Sequence, residues 1–139
     1  MSNSKEIRSL VTNDGNIELS IKTIEIPTPA ADEVLIKVDA APINPSDLGL
    51  LISFAADISS ISSTGSGDET KTTIRIHPAL FSAMKPRLDQ SMQVGNEGAG
   101  VVVDAGENVK DFIGKTVGLA GGAMYSQYRC VPAASCLVM

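Results

Sequence analysis

Apolar residues recur at every second position in this chain, and that period limits what it can fold into more than any other feature. Ile17, Leu19 and Ile21 share one face of an extended segment, and Ile24 and Ile26 resume out of phase. Side chains alternate across a strand, so the slip at Lys22-Thr23 predicts a bulge or bend between two strand segments. Pro27-Thr28-Pro29 closes that unit, because proline has no N–H to give to a ladder. Val34, Ile36, Val38 and Ala40 line one side of the next strand, with Lys37 and Asp39 on the other. Leu35 interrupts the polar side, so the start of this strand is expected to be covered on both faces.

The last third repeats the pattern. Val101 to Val103 predict a compact apolar strand, Ala105-Gly106-Glu107-Asn108 a turn, and Lys115 to Ala120 another strand. Gly121-Gly122 forms a corner before a final strand from Met124 to Val131. Between these halves a short helix is expected after Asn44-Pro45, through Leu48, Leu51 and Ile52. A second starts at Pro78 and ends at Lys85, where Pro86 stops it. Asp57 to Thr73 is rich in Ser, Thr and Gly, and reads as an exposed, mobile loop insertion. Many short strands with glycine corners define a mainly β fold, an irregular barrel or sandwich with short helices. A length of 139 residues fits one such domain.

Charge narrows the partners. Sixteen acidic and eleven basic residues leave a net charge of −5, with no basic cluster. Nucleic acid and anionic membranes both need a basic face, so neither is an expected partner. The longest nearly apolar run, Leu48 to Ala56, is too short to cross a bilayer. The first ten residues lack the apolar core of a secretory signal, so the expected location is cytoplasmic. Cys130 and Cys136 make neither a disulfide framework nor a metal pair, and read as reduced, small apolar residues. His77 reads as a solvated loop residue. The chain stops at Cys136-Leu137-Val138-Met139, without a polar tail, which suggests the front part of a longer polypeptide.

Two stretches hold the chemistry-bearing residues, Ile43-Asn44-Pro45-Ser46-Asp47 and Gly95-Asn96-Glu97-Gly98-Ala99-Gly100. Asp32-Glu33-Val34-Leu35-Ile36-Lys37-Val38 precedes them. Gly114-Lys115-Thr116-Val117 and Gly121-Gly122-Ala123-Met124-Tyr125-Ser126-Gln127-Tyr128 follow. In this order and spacing they resemble the N-terminal GroES-like domain of the medium-chain dehydrogenase/reductase superfamily. In zinc-using members, the places of Asn44 and Asn96 are held by the Cys and His that ligate a catalytic metal. A neutral amide oxygen is a poor substitute for thiolate or imidazole. The resemblance therefore implies the zinc-free, quinone-oxidoreductase-like branch, with mitochondrial-type enoyl thioester reductases nearby and no metal site. It further implies that NADP or NAD is held mainly by a Rossmann domain beyond this chain. The expected partner is a small-molecule substrate, and the full-length protein is expected to be a homodimer.

The chain departs from that pattern in three ways. It ends before a dinucleotide-binding domain, it lacks the four-cysteine zinc lobe, and Asp57 to Thr73 replaces a shorter segment that carries a functional tyrosine in relatives. No tyrosine lies between Asp47 and Gly95. The glycine run is also not a dinucleotide fingerprint, since its order is wrong and a strand is expected after it.

Asn44, Ser46 and Tyr125 are the candidate catalytic residues, and Asn44, Pro45 and Asn96 the candidate cofactor contacts. Each has a plainer role beside it. Asn44-Pro45-Ser46-Asp47 also fits a helix cap, a proline at the first helical position and an acid three residues on. Ser46 resembles a proton-relaying hydroxyl of zinc-dependent relatives, a task that shrinks without a metal. Asn96 and Glu97 fit a buried turn before a core strand, and Gly98 and Gly100 fit close backbone approach. Tyr125 and Tyr128 are placed on opposite sides of one strand, where Tyr125 would donate to a developing enolate.

The combined expectation is the substrate-side domain of a zinc-independent NAD(P)H oxidoreductase acting on quinones, enones or enoyl thioesters, inactive by itself. A stand-alone GroES-like binding module without redox activity is the alternative from another class. A metal-dependent alcohol dehydrogenase with an unorthodox site is the third.

Overall fold

Ten strands account for about half of the chain in the computed structural model, which describes residues 2–139. They are β1 (Asn3–Val11), β2 (Asn16–Glu25), β3 (Glu33–Ala40), β4 (Ala56–Thr64), β5 (Lys71–Ile76), β6 (Met92–Gln93), β7 (Glu97–Ala105), β8 (Thr116–Ala120), β9 (Tyr128–Pro132) and β10 (Leu137–Val138). One antiparallel sheet has the order β4-β5-β2-β1-β6 and the other the order β10-β8-β7-β3-β9. The mainly β expectation stands. The irregular barrel is represented by these two sheets, without a closed ring of strands among the described residues.

The chain divides into two units. The first comprises residues 2–6, Thr23–Ile43 and Gly95–Met139, and the second Ile7–Lys22 and Asn44–Val94. The division crosses β2 between Lys22 and Thr23, where the apolar pattern changes phase.

In the first unit β3 lies between β7 and β9, so both its edges are paired. Val34 and Ile36 are fully buried against Val102, Val117, Met124 and Val131. Leu35 is buried too, as its apolar side chain on the polar side required. Each such side chain contributes about 1.5–3 kcal/mol by leaving water. The predicted strand at Val101 to Val103 begins earlier, at Glu97, because Gly98 and Gly100 let β7 run tight against its neighbours. An added Cβ at Gly98 would lie 3.0 Å from the Ala40 carbonyl, and one at Gly100 would collide with the Lys37 carbonyl.

The second unit has its own core of Val11, Ile17, Ile74, Ile76 and Met84, with Ile52, Leu80 and Phe81 against it. A short helix, α1 (Leu48–Leu51), follows a 3-10 turn at Pro45–Asp47, close to the expected helix. The second expected helix is a 3-10 run, Pro78–Arg87, that continues through Pro86. Its i to i+3 bonding has no i to i+4 ladder for the proline to break.

Two expectations differ from the structure, and one strand was not foreseen. Asp57 to Thr73 was expected as a loop, but it contains β4 from its second residue on, a 3-10 turn at Gly67–Glu69 and the first half of β5, paired as an exposed hairpin. Its Ser and Thr side chains are compatible with strands, and the Ser63 and Thr72 hydroxyls bond across the pair at 2.8 Å. The final strand from Met124 is shorter, since β9 begins at Tyr128. β1 was not read from the sequence, because Ser4, Glu6 and Ser9 hold three of its four buried positions, with Val11 the fourth. Hydrogen bonds hold two of them: Ser4 Oγ accepts the Tyr128 N–H at 3.2 Å, and Ser9 Oγ donates to the Leu50 carbonyl at 2.6 Å.

Candidate functional site

Asn44, Pro45 and Ser46 come together in one turn of the second unit. Asn44 is extended (φ −98°, ψ 158°) and precedes the 3-10 turn, with Pro45 at its first position. Asp47, only 2% exposed, accepts the Asn44 N–H on its carboxylate at 2.7 Å. The Asp47 N–H returns to the Asn44 carbonyl at 2.9 Å. The acid half of a capping box thus fixes the backbone that carries Asn44. Asn44 is half-buried, while Pro45 and Ser46 are exposed.

The far end of α1 is fixed as firmly. The Arg87 guanidinium donates to the Leu50 carbonyl at 3.3 Å, the Gly49 carbonyl at 3.4 Å and Ser9 Oγ at 3.2 Å. A cation at the C-terminal end of a helix satisfies carbonyls that have no intrahelical donor. Burial lowers the guanidinium from its usual proton affinity. Just beyond α1 the backbone turns at Ser53, a buried residue with φ +63°.

Asn96 and Tyr125 belong to the first unit, where a turn and a corner interlock. The Asn96 carbonyl accepts N–H groups from Gly121 at 2.8 Å and Gly122 at 3.4 Å, and the Gly95 carbonyl accepts from Met124 at 3.1 Å. Gly95 has φ +99°, and a Cβ there would sit 2.6 Å from the Tyr125 nitrogen and 2.7 Å from its ring. Only glycine fits both the conformation and the space. The Arg129 guanidinium donates to the Gly122 carbonyl at 3.2 Å, bracing the corner from behind.

The Tyr125 hydroxyl donates to the Pro42 carbonyl at 2.9 Å. Tyr125 lies before β9 rather than within it, so Tyr125 and Tyr128 are not opposite faces of one strand. The apolar spacing from Met124 onward concealed the corner that separates them. Glu97 is exposed at the start of β7, in place of the buried turn expected for it. Gly95 to Gly100 feeds a strand and not a helix, so this chain offers no helix N-terminus to cradle a dinucleotide diphosphate there.

Sequence reading missed a groove in the first unit. It has a volume of about 350 Å3 and is lined by Ala40, Pro42, Glu97, Gly98, Gly118 and Leu119, among others. Its signal was present as small residues at strand positions, which leave a sheet face hollow. Its walls are mainly apolar, with the exposed Glu97 carboxylate among them.

Cys130 and Cys136 are half-buried free thiols. Burial first, then the nearby Glu33 carboxylate, pushes the Cys130 thiol up to about 11, and burial raises Cys136 as well. His77 is exposed. Among the described residues no three of His, Cys, Asp and Glu gather closely enough to hold a metal ion. No helix among them is long and apolar enough to cross a membrane.

Residues 30–139 match the alcohol dehydrogenase GroES-like domain. The chain belongs to that family. This GroES-like domain finds no match among curated proteins. Its fold is similar to that of a candidate NADPH:quinone reductase from Mesorhizobium loti, with a TM-score of 0.56 and 23% identity, covering 99% of this chain and 36% of the other. A candidate NADPH:quinone reductase from Bacillus thuringiensis gives 0.63 and 21%, covering 100% and 34%. A mutant form of the enoyl thioester reductase from Candida tropicalis gives 0.59 and 16%, again covering 100% and 34%. The GroES-like domain thus spans about a third of the length of these structures.

Proposed function

We propose that this domain is the substrate side of a zinc-independent, nicotinamide-dependent oxidoreductase that reduces quinones, enones or enoyl thioesters. The observation that supports it most is the pair of carboxamides, Asn44 and Asn96, each on a hydrogen-bonded turn at a family motif. Thiolate and imidazole suit zinc and amides do not, which favours chemistry without a Lewis acid. The fold likeness to quinone and enoyl thioester reductases accords with this reading.

The nicotinamide cofactor, NADP or NAD, would supply the reducing equivalent from a further domain, since this chain forms no diphosphate cradle at its glycine run. The residues described here would act on the acceptor. As an α,β-unsaturated carbonyl is reduced, negative charge grows on its oxygen. The amide of Asn44 and the hydroxyl of Ser46 would donate to that oxygen, with Pro45 of the same turn as a cofactor contact. Each such donor lowers the barrier by about 3 kcal/mol when it is placed in advance. Tyr125 enters this scheme only by exchanging the Pro42 carbonyl for the substrate oxygen.

The test is expression of the reading frame beyond Met139 and assay with NADPH and a panel of enones and quinones. Turnover that falls about a hundredfold in Asn44→Ala is the expected result. The 139-residue chain alone is expected to give none, because proximity of the two reactants supplies much of the rate. Robust turnover by that chain, or stoichiometric zinc in the active protein, would overturn the reading.

A further inference from the structure

Phe54 is the most exposed aromatic ring in the chain, at 74%, and its placement is tightly determined by its neighbours. Ser53 before it and Ala55 after it are both buried. Ser53 holds φ +63°, a conformation that L side chains adopt at a cost of about 1–2 kcal/mol. Its hydroxyl accepts the Ala55 N–H at 3.2 Å and meets the Met84 sulfur at 3.3 Å. The strained residue is therefore anchored in the core, and the anchor turns the next side chain outward. The Ala55 carbonyl accepts the His77 N–H at 2.8 Å, which fixes the other flank. A hydrophobic ring held in water by buried neighbours on both sides has a different meaning from one on a loose loop. Strain of this kind persists where the surroundings over-determine it, and such positions gather at ligand clamps.

Phe54 also lies three residues beyond α1, the helix that follows the Asn44-Pro45-Ser46 turn in the same unit. The other two phenylalanines, Phe81 and Phe112, pack against the two cores. Both are only partly exposed.

We infer that Phe54 is a specificity-determining contact whose ring stacks on a planar, conjugated acceptor, with the quinone ring as the substrate class it favours. This rests on the oxidoreductase reading above and narrows it. An electron-poor ring offers a face to the phenyl group in offset stacking, whereas an aliphatic acyl chain offers only area. The ring contributes binding and orientation, and no proton or electron passes through it.

Duroquinone is the suitable probe, because its fully substituted ring does not add to thiols such as Cys130 and Cys136. The 139-residue chain, labelled in its phenylalanine rings and its backbone amides, is titrated with duroquinone and followed by NMR. The expected result is a saturable shift of the Phe54 ring with Phe81 and Phe112 unmoved. Phe54→Ala should weaken binding about tenfold and Phe54→Leu by less, while Ser66→Ala on the hairpin leaves it unchanged. Saturable shifts confined to Gly98 and Gly118, with Phe54 silent, would overturn the Phe54 assignment and leave the oxidoreductase reading intact. Absence of any shift also overturns the assignment, and the reading is then judged separately by the assay of the longer frame. Equal affinity in Phe54→Ala and the parent chain would do the same.

Discussion

Replacing Gly95 by alanine separates two effects that usually arrive together. The residue has φ +99°, so any L side chain there carries left-handed strain of about 1–2 kcal/mol. The new Cβ would also sit 2.6 Å from the Tyr125 nitrogen and 2.9 Å from the ring carbon that joins the side chain. Backbone cannot yield as a flexible side-chain tip does, and forced contacts of this kind cost about 1–3 kcal/mol. The total is about 2–5 kcal/mol. Gly114 supplies the control within the same unit, since it has φ +88° and open space around its Cα. Gly114→Ala should therefore carry only the strain. Urea unfolding followed by tyrosine fluorescence reads the first unit directly, because both tyrosines lie there and the chain has no tryptophan. Gly95→Ala should lower stability by at least about 1 kcal/mol more than Gly114→Ala. If the two variants agree within about 0.5 kcal/mol, the interlock of Gly95 with the Tyr125 corner is not a tight contact in solution.

Three further outcomes follow from individual groups. Asp47→Asn removes the charge from a buried carboxylate that accepts the Asn44 N–H, and should cost about 1.5–3 kcal/mol in urea unfolding; an unchanged midpoint would contradict the capping role. The Asp57 carboxyl is held below its ordinary 3.8, chiefly by the Ser59 hydroxyl, so its stabilising effect is present above that value and is lost as pH falls through the lower folded value. NMR titration of Ser59→Ala should show the Asp57 transition moving upward, and an unmoved transition would refute the bond. Cys130, pushed up to about 11 from an ordinary 9.0, should be alkylated about a hundredfold more slowly at pH 8 in the folded chain than in urea; equal rates would show the thiol to be open to solvent.

The alternation in β3 was legible because one strand is buried on both faces where Leu35 stands and on one face beyond it. The break at Lys22-Thr23 was legible for a related reason, since a period of two cannot hide a change of phase. β1 was hidden because its inward positions carry Ser4, Glu6 and Ser9, whose fit depends on partners such as Tyr128 and Leu50 far away in sequence. The hairpin of β4 and β5 was hidden by composition: a run of Ser and Thr reads as disorder until a partner strand pairs with it. At the candidate site, the Asn44 turn was legible from four consecutive residues. The Gly95 to Tyr125 interlock was not, because nothing local links residues thirty positions apart. The groove beside Gly98 and Gly118 likewise needs two strands to be seen at once.

Asn44 and Asn96 share a property that bears on the chemistry proposed for them. Each stands on backbone that is already committed, through the Asp47 carboxylate at Asn44 and the Gly121 N–H at Asn96. Ordering one residue costs about 1–2 kcal/mol, and a turn fixed before a ligand arrives does not lose that amount on binding. Donors that stabilise a developing anion work because their dipoles need not reorient as the charge forms. A capping box and a catalytic donor are therefore not competing explanations of Asn44-Pro45-Ser46-Asp47. The cap supplies the rigidity that the donor requires, and a sequence that lost the acid at Asp47 would lose both.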